Sequence, residues 1–238
     1  MHPSALLHAR SFFLTYAPGL RSGPEPVEVV EIGARAFNGS IRDVCPAGVR
    51  YTGVDVEAGD GVDLVLEDPY RLPMRDASVD AIVSSSCLEH SEMFWVIFLE
   101  AMRVLAPHGL FYLNVPSNGD VHRFPVDCWR FYPDSGRALT AWGRRNGLAC
   151  MLLESYIGPQ QGDIWNDFVA VFLKDEACLH RYPARILDTL PEYHNGCRDG
   201  AAELLRPRQF TEDRLRRIAL RRRLQAAAAQ PGPAGNRG

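Results

Sequence analysis

No stretch of this sequence approaches the roughly 20 consecutive apolar residues needed to span a bilayer, and the segment from Met1 to Leu7 lacks the long apolar core of a secretory leader. Both absences lead us to expect a soluble, cytoplasmic chain with no transmembrane segment. Cysteines are present but not in pairs: Cys45, Cys87, Cys128, Cys150, Cys178 and Cys197 are scattered with no CxxC spacing. Neither a zinc knuckle nor a disulfide framework is indicated, and the six read as reduced thiols. An excess of positive charge is also missing. With 26 Lys and Arg against 29 Asp and Glu, the formal net charge is -3. That argues against the generally basic face a nucleic-acid partner needs to displace counterions from phosphate. No internal repeat is visible. What the chain does have is 238 residues, 46% of them hydrophobic, enough to bury the core of one large α/β domain with elaborations.

The apolar pattern alternates between strand and helix from residue 27 onward. Five apolar runs, 27–32, 49–55, 62–66, 79–83 and 110–115, are short, continuous and rich in β-branched, aromatic or leucine side chains. Such runs suit strands buried on both faces, as in a parallel sheet. Between the fourth and fifth, Phe94, Phe98, Ala101 and Leu105 fall at helical spacing, and Pro107 with Gly109 ends that crossover helix. Trp95, Val96 and Leu99 lie off its sheet-facing stripe, which asks for cover by the N-terminal segment or by a second copy in a homodimer. Residues 133–146 predict another helix, and 148–157 and 166–173 two more strands able to pair antiparallel. Residues 4–16 predict a short helix, broken from Pro18 onward by proline and glycine. The organisation expected is an N-terminal arm or lid over 1–26, a core over 27–175, a helical extension over 176–225 and a disordered tail over 226–238. The basic stretch from Arg214 to Arg223 reads mainly as a solvated helix, with an anionic membrane or acidic partner as the alternative.

An α/β sheet of this kind collects its ligand beyond the carboxyl ends of its strands, so the acids and glycines placed there carry the most information. Glu31-Ile32-Gly33 ends the first strand, and Gly33 lets the backbone pass close to a ligand. Asn38-Gly39-Ser40 opens an expected helix whose free amides suit a carboxylate. Asp55 closes the second strand about 20 residues on, where a carboxylate can accept both hydroxyl protons of a ribose. Asp68, after the third strand, is placed to accept from an exocyclic amine of adenine. Taken singly, each has a plain reading as a turn, a cap or a surface acid. Their order along the strands is what favours a cofactor site.

The stretches VVEIGARAFNGSIRD, YTGVDVEAGDGVDLVLEDPYRLP, VDAIVSSSCLEH and FLEAMRVLAPHGLFYLNVPS together resemble the class I S-adenosylmethionine-dependent methyltransferases, in particular their type 11 branch. The resemblance implies a Rossmann-like, doubly wound, seven-stranded and mostly parallel sheet whose last strand is antiparallel, with S-adenosyl-L-methionine as cofactor. It implies that Glu31 and Gly33 border the methionine part, Asp55 holds the ribose, Asp68 the adenine amine, and Ser85 lies beneath the cofactor at the end of strand four. Arg35 and Phe37 stand where the family's commonest loop, E/D-x-G-x-G-x-G, has its second and third glycines. Arg35 and Asn38 are then read as cofactor-side residues of a variant loop in which Asn38-Gly39-Ser40 substitutes. The same departure disfavours a nicotinamide enzyme, whose GxGxxG needs its second glycine under the pyrophosphate.

On the acceptor side, His90 sits just past strand four and resembles the histidine of the family's Glu-His pair, which often faces the acceptor; its alternative is packing. Glu89 reads as structural. The loop from Asn118 to Pro133 concentrates His122, Arg123, Asp127, Trp129, Arg130 and Tyr132, a mixture of base, cation and stacking surface suited to a polar or anionic small molecule. His90, His122 and Asp127 are the candidate catalytic residues, with Arg123, Trp129, Arg130 and Tyr132 on the acceptor. The plainer reading packs Trp129, Phe131 and Tyr132 on the sheet and pairs Arg130 with Asp127. His122 and Asp127 fall short of a metal site, and no metal is expected. The function expected is O-methylation of a sugar or similar small metabolite. Its rivals are a catalytically degenerate module of the same fold and a nicotinamide oxidoreductase.

Overall fold

The computed structural model describes residues 2–37, 39–160, 165–209 and 211–228. Residues 1–206 form one compact unit and 207–238 a second. In the first, β1 (Val27–Ile32), β2 (Val49–Asp55), β3 (Leu64–Val65), β4 (Val79–Ser85), β5 (Leu105–Pro116), β6 (Met151–Ile157), β7 (Asp167–Leu173) and β8 (His194–Arg198) join in one sheet. The order is β3-β2-β1-β4-β5-β7-β6-β8. β1 to β5 pair in parallel, whereas β7 runs antiparallel to both β5 and β6.

The expected doubly wound α/β sheet is therefore present, with eight strands where seven were expected. The extra strand, β8, pairs antiparallel with β6 at the sheet edge. Residues 176–206, expected to be helical, instead contribute two short 3-10 turns, Glu176–Arg181 and Ile186–Asp188, and this strand. Burial explains why the segment folds back. The carboxylate of Glu154 on β6 is fully buried and accepts from Ile186 N at 2.7 Å, Leu187 N at 3.0 Å and Tyr16 Oη at 2.5 Å. One carboxylate thus ties the N-terminal helix, the second 3-10 turn and the sheet together, and leaving it without these partners would be costly in so dry a place.

Alternation along the strands divides the core into two layers. Phe111 and Leu113 of β5 meet Ile97, Phe98, Met102 and Leu139 from α2 (Phe94–Val104) and α3 (Ser135–Arg145). Leu110 and Tyr112 face the other way, towards Phe12, Phe13, Tyr16 and Leu20 of α1 (Pro3–Leu20). The N-terminal arm is therefore a long helix that continues through Pro18 instead of stopping before it. Pro18 removes the hydrogen bond to the carbonyl of Leu14, and Leu14 is 72% exposed, so water can serve that carbonyl. Because α1 lies on the opposite face of the sheet, it does not cover the outer side of α2. That role falls to α3 and to the loop after β5: Trp142 Nε1 donates to Trp95 O at 3.3 Å, and Trp129 meets Trp95 at 5.7 Å between ring centroids.

The second unit contains α4 (Glu212–Ala228), which matches the basic helical stretch; Leu215, Leu220 and Leu224 on it are exposed. No described helix is long and apolar enough to cross a membrane.

Candidate active site

The carboxyl ends of β1, β2 and β4 converge with the start of the loop after β5. At the first of these ends Glu31 is buried and accepts from Tyr51 Oη at 2.7 Å and Ser40 Oγ at 3.4 Å. Burial pushes its carboxyl up to about 7 against the lowering pull of those two hydroxyls. Asp55 accepts from Arg35 N and from Glu57 N, each at 3.1 Å. A carboxylate has about four lone-pair sites, so this leaves capacity for a diol. Asp68 accepts from Tyr70 N at 2.8 Å and is otherwise exposed, with the rest of its carboxylate open to a ligand.

The loop after β1 differs from expectation in two ways. Ser40 does open a helical segment, but it is a 3-10 turn of four residues, Ile41–Val44, and not a full helix. Its free amides are consumed locally: Arg42 N donates to Ser40 Oγ at 3.1 Å, and Ser40 N to Asp43 Oδ2 at 3.0 Å. Among the described residues the capping box leaves no cluster of amides for an anion. Asn38 lies outside the described residues. Arg35 is held through its side chain as well as its amide: its guanidinium pairs with Glu57 and lies 5.1 Å over the Phe37 ring. The close backbone approach that a second loop glycine normally permits falls instead between β2 and the loop after it. A Cβ on Gly53 would meet Gly61 O at 2.1 Å. Gly53, inside β2, and Gly61, in the Gly59-Asp60-Gly61 run after it, are the glycines that sequence reasoning passed over.

The middle of the sheet carries several polar groups, of which the sequence reading had singled out only Ser85. Ser85 stands opposite Asn114 in the β4–β5 register. Ser85 Oγ and both side-chain polar atoms of Asn114 are buried without a hydrogen-bond partner among the described residues. Asp167 begins β7, and burial lifts its carboxyl to about 6; Tyr112 Oη and Asp167 Oδ2 likewise have no partner there. His8 of α1 lies 3.9 Å from Asp167 Oδ2, its ring held neutral by burial, which lowers its pKa to about 4. Buried polar atoms are usually satisfied; of these, Ser85 and Asn114 stand towards the carboxyl ends of β4 and β5, where ordered water or a polar ligand can reach them. Asn114, a lone polar residue inside LFYLNVP, was the legible signal.

At the rim, Glu89 and His90 lie in a 3-10 turn, Leu88–His90, just after β4. His90 Nδ1 is 2.6 Å from Val126 O, so the ring is fixed with Nε2 towards the site and 3.7 Å from Glu89 Oε1. Glu89 is fully buried with neither oxygen partnered among the described residues, and burial raises its carboxyl to about 8. The sequence reading took Glu89 as structural; its burial without a hydrogen-bond partner among the described residues is what that reading did not anticipate. The rings of His90 and His122 meet edge to face at 4.9 Å, and Phe37, Phe124 and Trp165 continue the aromatic wall.

The remaining loop residues sort by what they hold. Asp127 accepts from Arg130 at Nη1 (2.5 Å) and Nη2 (2.8 Å) and from His122 N (2.7 Å). Arg130 also reaches Asp120 O at 2.7 Å. The Arg130–Asp127 fork thus clamps the loop, and the bidentate guanidinium keeps the Asp127 carboxyl well below its usual range. Trp129 donates to Ser91 O at 2.8 Å and packs against Phe94. Arg130 thus pairs with Asp127 and Trp129 packs, whereas Tyr132, which the plainer reading also packed on the sheet, is exposed. Arg123 and Tyr132 are exposed on the same loop.

Residues 39–113 match the family model described as a methyltransferase domain. No curated protein matches the chain. Solved structures share its fold. The 1,6-didemethyltoxoflavin-N1-methyltransferase of Burkholderia thailandensis, with 1,6-didemethyltoxoflavin and S-adenosylhomocysteine bound, is 17% identical over 73% of this chain and 79% of its own, at a TM-score of 0.54. A putative sarcosine dimethylglycine methyltransferase from Galdieria sulphuraria is 13% identical over 72% and 85%, at 0.53. The [4+2]-cyclase SpnF is 14% identical over 70% and 81%, at 0.52. One fold thus serves methylation of unlike acceptors and a cyclisation, so the acceptor has to be argued from the site.

Proposed function

We propose that this chain, a class I S-adenosyl-L-methionine-dependent methyltransferase, moves the methyl group onto a hydroxyl of a small polar acceptor, with a sugar as the leading class. The observation that carries the reading is His90: its Nδ1 is occupied by Val126 O at 2.6 Å, so Nε2 carries the lone pair and faces the mouth between Phe37, Phe124 and His122. A hydroxyl needs a base as it is methylated, whereas a carboxylate does not, and a fixed imidazole nitrogen supplies one. The aromatic wall offers faces for the apolar side of a sugar ring, while Arg123 and Tyr132 lie further out on the same loop.

Bound S-adenosyl-L-methionine supplies an electrophilic methyl on its sulfonium. The residues of the chain then bind and align. Glu31 and Gly33 border the methionine end, with Arg35 completing the loop through its amide and its pairing with Glu57. Asp55 takes the ribose hydroxyls with its remaining lone pairs and Asp68 the adenine amine. Ser85 and Asn114 lie beneath the centre, where their unpartnered atoms meet polar groups of the bound molecules. Since the transfer is an in-line displacement, most of the rate comes from holding acceptor oxygen and methyl in line. His90 accepts the hydroxyl proton. His122, edge-on to His90, completes the mouth, and Asp127 positions it through the Arg130 clamp.

Calorimetric titration with S-adenosylhomocysteine, with NAD in parallel, tests the cofactor half: micromolar binding of the former and none of the latter is expected. Asp55→Ala weakens that binding by about tenfold, the loss of one or two charge-assisted hydrogen bonds. An unchanged affinity sinks the ribose assignment. For the acceptor half, sugars are screened for methyl transfer. With an acceptor in hand, His90→Ala loses turnover by tenfold or more at saturating cofactor while cofactor affinity stays. A near-normal rate removes His90 as base. Binding without turnover on any acceptor favours the degenerate module instead.

A further inference from the structure

We infer that Glu89, His90 and His122 form a binding site for a divalent first-row transition metal, Zn2+ or a close chemical relative, at the rim of the acceptor mouth. Each of the three offers one ligand atom, and these atoms lie within 4.8 Å of one another. The Glu89–His90 pair is spaced for a shared ion and not for a direct bond. His90 Nε2 and Glu89 Oε1 stand 3.7 Å apart, too far for a hydrogen bond, while two ligands about 2.1 Å from one ion are separated by 3–4 Å. The independent observation is Glu89 itself. Its side chain is fully buried, neither oxygen has a partner among the described residues, and it opens towards the two imidazoles. A carboxylate so placed needs a cation or a proton.

The groups behind the ligands also match what a metal requires. Histidine ligands are generally held by a carbonyl or carboxylate on the ring nitrogen that does not bind the ion. Val126 O takes that place at Nδ1 of His90, at 2.6 Å. Beside Nδ1 of His122 stand Asp120 O at 3.1 Å and Asp127 Oδ2 at 3.6 Å, with Arg130 Nη2 at 3.4 Å. Arg130, the nearest cation, is already neutralised by its fork with Asp127. Two imidazoles and one carboxylate suit Zn2+, Fe2+, Co2+ or Ni2+, whereas Mg2+ and Ca2+ prefer all-oxygen sets. Sequence spacing alone expected no metal, because the loop that brings His122 to the Glu89-His90 pair is not legible as a ligand motif. Three protein ligands leave coordination positions for water or an acceptor oxygen. An ion there would acidify an acceptor hydroxyl in place of a free His90 nitrogen. That role rests on the acceptor reading above; the site itself does not.

The test is a titration of the full chain, freed of metal with a chelator and carrying no histidine tag, with Co2+ followed in the visible and near ultraviolet. One equivalent is expected to bind with d–d bands, without thiolate charge-transfer bands, and to be displaced by Zn2+. Glu89→Gln and His122→Ala should each weaken Co2+ binding by at least about tenfold. His122 lies on an exposed loop, so its variant keeps the fold if the buried Glu89 variant does not. Absence of stoichiometric binding, the appearance of thiolate bands, or unchanged affinity in His122→Ala overturns the site. None of these readouts requires an acceptor, so failure of the metal site and failure of the hydroxyl-acceptor reading are separately visible.

Discussion

Affinity for S-adenosyl-L-methionine is expected to rise roughly tenfold between pH 6 and pH 8, and to lose this dependence in Glu31→Gln. The cause is the folded-state carboxyl of Glu31, which burial lifts to about 7 from an ordinary 4.5. Below that value it is a neutral acid in the free protein. A cofactor carrying ammonium and sulfonium charge favours the carboxylate, so binding there expels a proton, about half of one at pH 7. The sign follows for stability as well. A raised folded pKa means that the group's contribution is fully present below 4.5 and is lost as pH rises through about 7. The free protein therefore weakens over this window, and the stabilisation by cofactor grows with pH. Calorimetry in two buffers of different ionisation heat measures the proton release directly. At pH 8 the Gln variant should bind roughly ten to a hundred times more weakly, the worth of a charged hydrogen bond. If wild type and variant share one pH profile, Glu31 does not meet the cofactor's cationic end.

How far the sequence could be read depended on what burial does to composition. β1, β4, β5 and β7 are buried on both faces, so their runs are nearly unbroken and their order was plain. β8 reads His-Asn-Gly-Cys-Arg, with no alternation to mark it, because it is a short edge strand paired with β6 and, on its outer side, only through an isolated bridge from Gly196 to Leu205. That Glu31, Asp55 and Asp68 stand at or just after strand ends was legible because strand ends are legible. Glu89 was not, since nothing in a sequence distinguishes a solvated acid from a dry one; only the packing around the 3-10 turn reveals it. Likewise the meeting of His90 with His122 depends on the Arg130–Asp127 clamp folding the long loop back, a tertiary event without a local signature. The short capped turn after Ser40 stood in the letters as Ser-x-x-Asp, a box that the expectation of a full helix obscured.

Gly33→Ala should cost roughly 3 kcal/mol of stability and abolish measurable cofactor binding, for a reason that lies in the protein and not in the ligand. Gly33 sits at φ +79°, and a Cβ there would stand 2.5 Å from the Cβ of Cys87 and 2.6 Å from its Sγ. A left-handed conformation costs an L-residue about 1–2 kcal/mol, and forcing a methyl group into a filled space adds about 1–3 kcal/mol. Cys87 opens the turn that carries Glu89 and His90, so relief by movement displaces the rim of the acceptor mouth as well as the cofactor loop. The two contributions can be separated. Cys87→Gly removes the obstructing atoms and leaves the φ cost. A double-mutant cycle of Gly33→Ala with Cys87→Gly, followed by denaturant unfolding, should then give a favourable coupling of about 1 kcal/mol or more and return part of the cofactor binding. Strict additivity would mean that Cys87 yields without strain, and that Gly33 is required for its backbone conformation alone.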